Sequence, residues 1–400
     1  MTPALKLGLM RILLINPLSG HFKFDAMSMP PLGILVVAAK LREEGHDVVF
    51  LDRNAILYGS LKCVGEPTPL LLSQVDRHVR QAMRQHQPQI VGITMMTCQM
   101  RDVRRISVLI RKMAGADTRI VLGGYHPTCE PSTVFRDIPE VDVIIRGQGE
   151  WAMAELAAGK PLLQIAGVSF RQRVAQPRIA RLGDWVTGRI RPFDPSEIRH
   201  NLDSFWSKDR NLTVMPARDL IATDYYQREG DAIINYYYFH RPASIVTAQG
   251  CPKRCSFCAS KLMESKLFFS PAQQMIEEVS HLVYDGGVTG LFFYDINFPV
   301  HRKRTEAFTT AMVEMGLADK VKWLACASAD NLPYDLLPQM RRAGCVGLLF
   351  GFESASQRIL DILNKDIDVN LHQKAVDACK ANDIRPQSAF IVGVPGETEC

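Results

Sequence analysis

Short apolar runs alternate with longer helical stripes along the first 150 residues. Residues 11–15 form one such run, and 47–51, 90–94, 119–122 and 141–145 repeat it. Between them, Leu32, Leu35, Val36, Ala39 and Leu41 recur at roughly helical spacing, and 71–86 and 101–113 read as helices too. Runs this short are strands buried on both faces rather than helices. The alternation predicts a doubly wound parallel sheet, in which ligands bind beyond the carboxyl ends of the strands. Those ends carry Asn16-Pro17, Asp52, Thr94 to Thr97, Gly123-Gly124-Tyr125-His126-Pro127 and Gly147-Gln148-Gly149-Glu150. Any one of them alone reads as a plain turn. Together, on one edge, they predict a ligand-binding rim.

Residues 161–240 lose this rhythm and read as a connector holding Trp185, Trp206, Pro192, Pro195, Pro216 and the run Tyr236-Tyr237-Tyr238-Phe239. These aromatics are expected to pack between domains. From 244 the alternation resumes, with strands at 244–248, 290–294, 322–327, 346–350 and 388–392 and helices such as 272–284 and 305–315. Repeated strand–helix units of this length predict a full or partial β/α barrel with its site at the strand carboxyl ends. The expected organisation is therefore 1–160 doubly wound, 161–240 connector and 241–400 barrel.

Composition narrows the class. At 47% hydrophobic and 22% charged, the chain is neither disordered nor membranous, and no run is long enough to span a bilayer. The apolar run 10–15 reads as a strand rather than a secretion signal. A net charge of +5 is mild and does not call for nucleic acid. Ten cysteines fit a reducing cytoplasmic setting. Seven are scattered (Cys63, Cys98, Cys129, Cys326, Cys345, Cys379 and Cys400) and are expected to be small buried hydrophobes.

The other three form Cys251-x3-Cys255-x2-Cys258, directly after the first strand of the second half. Three thiolates on one loop can hold an iron–sulfur cluster and leave one iron open to a small molecule. A structural zinc site would want a fourth, closing ligand, and the nearest later cysteine, Cys326, lies on a different strand.

Gly250 to Cys258, with Phe257 before the last cysteine, resembles the signature of the radical S-adenosylmethionine (SAM) superfamily. The resemblance implies a 4Fe–4S cluster on Cys251, Cys255 and Cys258. Tyr294-Asp295-Ile296-Asn297-Phe298 stands where that family holds the methionine part of SAM, which implicates Asp295 and Asn297. Gly351-Phe352-Glu353-Ser354 resembles the polar contact to the ribose, although Glu353 reads equally as a helix-capping acid. Ile391 to Thr398, including Gly393 and Pro395-Gly396-Glu397, resembles the fifth-strand motif supporting the adenine. A doubly wound domain ahead of such a barrel is similar to the cobalamin-dependent branch, as is Pro216-Ala217-Arg218-Asp219-Leu220. The implied corrinoid contacts are Asn16, Thr94, Gly123, Gly124, His126, Gly147 and Glu150.

The sequence departs from that pattern in two places. Many cobalamin proteins carry Asp-x-His-x-x-Gly, whose histidine binds cobalt, but Asp76-Arg77-His78 has Gln81 at the glycine position and reads as mid-helix. His78 is therefore expected on the surface and cobalamin without a histidine ligand. Relatives also continue beyond the Pro-Gly-Glu-Thr motif, so a shortened barrel is expected, lacking the last strand and a C-terminal domain. The resemblance implies reductive cleavage of SAM, hydrogen abstraction from an unactivated carbon of a small-molecule substrate, and methyl transfer from cobalt. It also implies an electron donor such as flavodoxin or ferredoxin. Three alternatives stand beside methylation: an oxidative cyclase resembling the anaerobic tetrapyrrole enzymes, a methylthio-transferring enzyme, and a truncated inactive relative. The second should carry three further clustered N-terminal cysteines.

Overall fold

The structure is a computed structural model that describes residues 8–19, 30–61, 63, 66–114, 117–172, 194–201, 214–221, 226, 232–234, 237–239, 241–260 and 267–398. The chain divides into two compact units, one built mainly from residues 33–205 and the other mainly from 222–400. Trp185, Trp206, Pro192, Tyr236 and Cys400 lie outside the described residues.

The first unit is a seven-stranded sheet in the order β2-β1-β3-β4-β5-β6-β7. Strands β1 (Arg11–Asn16), β2 (Asp47–Asp52), β3 (Ile90–Thr94), β4 (Arg119–Gly123) and β5 (Val143–Ile145) are parallel. Alternation along each strand sends side chains to opposite faces. Leu13, Ile15, Val91, Ile93, Ile120 and Leu122 pack with Val79, Met83, Val103, Ile106 and Ile110 of helices Pro69–His86 and Met100–Ala114. Ile12, Leu14, Ile90, Val121 and Ile145 face Ile34, Ala38, Leu41, Met153 and Leu156 of helices Leu32–Glu43 and Gly149–Ala157. The 2-1-3-4-5 order puts a topological switch between β1 and β3.

Two short strands, β6 (Val168–Arg171) and β7 (Ile198–His200), extend this sheet antiparallel beyond β5. They come from the span read as connector. At three or four residues each, without an intervening helical stripe, they give no periodic signal. Pro216–Leu220 also packs here: Ala217 N donates to Leu35 O at 3.1 Å, and Arg42 Nη1 pairs with Asp219 at 2.7 Å. Strands β8 (Ala232–Ile234) and β9 (Tyr237–Phe239), in the other unit, form an antiparallel pair.

The second unit holds five parallel strands in chain order, β10 (Pro242–Ile245), β13 (Gly290–Phe293), β14 (Lys322–Ala327), β15 (Cys345–Glu353) and β16 (Arg385–Phe390). Sequential order is what a β/α barrel wall requires. A two-stranded ribbon of β11 (Ala248–Gln249) and β12 (Phe268–Phe269) interrupts it after β10. Phe293, Phe298, Phe308 and Trp323, all fully buried, meet edge-on or tilted at 4.5–6.0 Å between centroids. They anchor the second and third strands to helix Arg302–Glu314.

Candidate functional site

In the first unit, the carboxyl ends of β3, β4 and β5 are knitted by backbone and hydroxyl bonds. Met95 N donates to Gly123 O at 2.8 Å and His126 N to Met95 O at 3.3 Å. Thr128 Oγ1 donates to Gly124 O at 2.7 Å and accepts from Gly147 N at 3.1 Å. Gly124 has φ +104°, and a Cβ there would stand 2.8 Å from Met95 O and 3.1 Å from Thr94 Oγ1. Only glycine lets these strand ends approach so closely. His126 Nδ1 meets Thr97 Oγ1 at 3.0 Å, while its Nε2 is buried without a partner. Met96 and Tyr125 beside it are more than half exposed. A glycine-shaped edge with apolar side chains and one uncommitted imidazole nitrogen suits a large, rigid ligand such as a corrinoid.

At the β1–β2 end the geometry is different. Asn16 does not face outward: its Nδ2 donates to Asp52 Oδ1 at 3.1 Å, and Asp52 also accepts from the Asn54 and Ala55 amides. Arg53, fully buried, reaches Asp102 at 2.8 Å and Asp76 at 3.0 Å, and Arg105 bridges the same two carboxylates. Burial pushes the Asp102 carboxyl up, but Arg53, the Leu18 amide and Arg105 outweigh it and hold it below the usual range. The sequence reading missed this network; its one signal is Asp76 lying between Val75 and Val79 on a buried helix face. His78, next to it, is exposed as expected.

In the second unit the three thiols sit on one loop after β11, entered through Gly250 at φ +90°. That loop is stapled to residues 363–366. Ser256 N donates to Leu363 O at 2.8 Å, Asn364 Nδ2 to Arg254 O at 2.8 Å, and Lys253 Nζ to Asp366 O at 2.9 Å. Lys253 also pairs with Asp330 at 2.7 Å. Burial pushes the Cys255 thiol up; Cys258 and Cys251 add to the rise, and Lys365 and Lys253 oppose it. A thiol held up in this way by burial and neighbouring thiols gains from metal binding, which takes it as the thiolate. Among the described residues, no group of three His, Cys, Asp or Glu could grip a single ion. Thiolates of a multi-iron cluster each bind a different iron, so three thiols on one loop need not converge on a single ion to hold a cluster.

At the end of β15, Glu353 is buried with φ +63°, a left-handed conformation that costs a non-glycine residue energy and marks functional sites. Lys365 Nζ donates to its Oε1 at 3.2 Å. The same carboxylate lies over Gly351, where a Cβ would be 2.5 Å away. Ser354 Oγ accepts from Ser356 N at 3.2 Å, and Asn297 Oδ1 accepts from Ser328 N at 3.2 Å. Gly393, at φ +86°, donates its amide to Glu397 Oε2 at 2.6 Å. Asp295 departs from the expectation. It has no exposed surface, and its oxygens take four hydrogen bonds from Thr247, Ala248 and Arg304. The side chains this strand end does expose are Tyr294 and Ile296.

The scattered cysteines split into two groups. Burial pushes the Cys326 and Cys379 thiols up to about 11, and Cys345 higher still, so these are inert. Cys63, Cys98 and Cys129 are only half-buried.

Comparison with known proteins places these two edges. The B12 binding domain family matches residues 25–157, and the Radical SAM superfamily matches 245–400. Each match contains one of the two strand-end sites described above. An uncharacterized methyltransferase of Pyrococcus horikoshii is 28% identical over 97% of this chain and 75% of its own length. The anaerobic magnesium-protoporphyrin IX monomethyl ester cyclase of Rubrivivax gelatinosus is 26% identical, over 97% of this chain and 63% of its own. The radical SAM methyltransferase TsrM of Kitasatospora setae, solved with cobalamin and a [4Fe-4S] cluster, superposes with a TM-score of 0.71 at 18% identity. That match covers 98% of this chain and 68% of TsrM, and it shows the shared fold. The fold and sites thus define a radical SAM enzyme with an N-terminal B12-binding domain. The chain carries the domain pair of the cobalamin-dependent radical SAM enzymes: the Radical SAM domain implies a 4Fe–4S cluster and SAM as cofactors, and the B12 binding domain implies cobalamin. No helix among the described residues is long and apolar enough to cross a membrane.

Proposed function

We propose that this chain methylates an unactivated carbon of a small-molecule substrate, with Cys251, Cys255 and Cys258 as the cluster ligands. One observation carries the proposal: a three-thiol loop and a glycine-shaped corrinoid edge occur in the same chain. When bound, the cluster supplies the electron that cleaves SAM, and the cobalamin supplies a methyl group that a radical substrate can take up. The chain's own residues hold and orient. Gly123, Gly124, Thr94, His126, Gly147 and Glu150 shape the edge that receives the corrinoid. Glu353, Ser354, Asn297 and Gly393 surround the position for SAM, with Lys365 holding the Glu353 carboxylate in place. A low-potential donor such as flavodoxin or ferredoxin, in a reducing cytoplasm, completes this reading.

Anaerobic turnover with methyl-labelled SAM and a reductant tests it. Methylation consumes two molecules of SAM per cycle, giving equal S-adenosylhomocysteine and deoxyadenosine, with label in the product. The 26% identity to the anaerobic cyclases over nearly the whole chain supports a second reading, oxidative ring formation. Deoxyadenosine without S-adenosylhomocysteine or transferred label would favour that reading over methylation.

A further inference from the structure

The buried Asp295 carboxylate sits beneath the entrance to the thiol loop. Its Oδ1 accepts from Thr247 N at 2.6 Å and Ala248 N at 2.8 Å. Its Oδ2 accepts from Thr247 Oγ1 at 2.6 Å and Arg304 Nη2 at 3.0 Å. Arg304 in turn donates from Nη1 to Thr247 O at 2.7 Å and from Nη2 to Thr247 Oγ1 at 3.1 Å. Thr247, Asp295 and Arg304 are all buried. The guanidinium lies over the rings of Phe269 and Phe298, at 5.2 and 5.5 Å from their centroids. Phe269 belongs to the strand that pairs with Ala248–Gln249, and Ser270 N donates to Thr247 O at 2.8 Å. Thr247 is therefore gripped from two sides by groups distant in sequence. Immediately after Gln249 the chain turns through Gly250 into Cys251.

So many polar bonds on one threonine are more than a strand end needs for its own stability. A buried carboxylate–guanidinium pair is costly to desolvate and is a weak source of stability, yet removing one partner is strongly unfavourable. Such a pair fixes geometry. We infer that Asp295, Thr247 and Arg304 form a lock that positions the cluster loop, so that Asp295 acts on SAM chemistry through Cys251 rather than by touching SAM. The inference rests on the assignment of the three cysteines as cluster ligands. Asp295 and Arg304 are thus positioning residues.

The test uses the full chain, anaerobically reconstituted, and reads two quantities in the absence of SAM. These are the rate at which a ferrous chelator strips the iron and the paramagnetic resonance signal of the reduced cluster. Thr247→Val, which keeps size and removes the hydroxyl's bonds to both Asp295 and Arg304, should speed iron loss about tenfold or more and shift the signal. Thr247→Ser should restore both to wild type. Asp295→Asn and Arg304→Lys should act in the same direction, and their double variant should lose less than the sum of the two because the three groups form one unit. A general loss of stability would lower the melting temperature without shifting the resonance signal of cluster that remains bound. Wild-type rates and signals in Thr247→Val and Asp295→Asn, with weakened SAM binding, would overturn the lock and make Asp295 a SAM contact. Wild-type chain that holds no iron would overturn the cluster assignment, and this inference with it.

Discussion

Both units place their sites at strand carboxyl ends, but they build them from different materials. The first unit's β3–β5 edge is made mostly of backbone: glycines, amides and carbonyls tied at 2.7–3.3 Å, with the Thr128 hydroxyl as a bridge and the His126 Nε2 uncommitted. The second unit's edge is made of side chains, with Asp295–Arg304, Glu353–Lys365 and Lys253–Asp330 all within 3.2 Å. A backbone edge presents shape, which suits a large ligand held over a wide surface. Charged side chains in low dielectric instead fix a small reactive group in one place. The second edge should accordingly fail through loss of single bonds, and the first through loss of shape.

The largest expected effect breaks the second edge outright. Cys251→Ala, Cys255→Ala and Cys258→Ala should each reduce bound iron from about four per chain to a small residue, and none should alter cobalamin retention. Iron and sulfide assays with cobalamin absorbance check this. Unchanged iron in all three would remove the cluster from this loop.

The next prediction asks whether the first unit also depends on charge, at its β1–β2 end. Asp102→Ala leaves the fully buried Arg53 with Asp76 alone and should cost ~3–5 kcal/mol of first-unit stability. Iron content in the second unit should not change. Because the folded Asp102 pKa lies below its unfolded value, its contribution is complete above about pH 4. It is lost as pH falls through the depressed value. Urea unfolding at pH 7 and at acid pH should show the wild-type and variant curves converging on acidification.

Two glycines sharpen the contrast. Gly124→Ala adds a Cβ 2.8 Å from Met95 O at φ +104°, whereas Gly393→Ala, at φ +86°, meets nothing within 4 Å. Both carry backbone strain of ~1–3 kcal/mol, but only the first should also deform its edge. Cobalamin retained through gel filtration should fall severalfold in Gly124→Ala, while Gly393→Ala should keep its iron. Equal losses of both cofactors in the two variants would contradict an edge built on shape.

The smallest effect concerns His126. If the first edge works by shape, its imidazole is a contact and not a cobalt ligand. The cob(II)alamin resonance spectrum should then show no axial nitrogen splitting and should be the same in His126→Ala. A nitrogen splitting abolished by that substitution would make His126 a ligand.

Sequence alone determined the elements and the class of chemistry. Parallel strands are buried on both faces, so 12–15, 90–93 and 323–327 had to be apolar whatever surrounded them, and each lies in the strand expected. The cysteine triplet is equally local, because its spacing is its geometry. Strands β6 and β7, three or four residues long, were invisible because too few positions exist to show a period. Only the tertiary structure decided where each polar side chain points. Asp295 and Asn297, two residues apart, looked alike in sequence, but Asp295 is fully buried against Thr247, 48 positions away, whereas Asn297 stays half-buried and accepts from the Ser328 amide. Asn16 is likewise taken up by Asp52, and Arg53 by Asp102, 49 positions distant. A hydrophobic pattern repeats along the chain and can be read there. A buried polar group is defined by its partner, and long-range contacts alone bring that partner near.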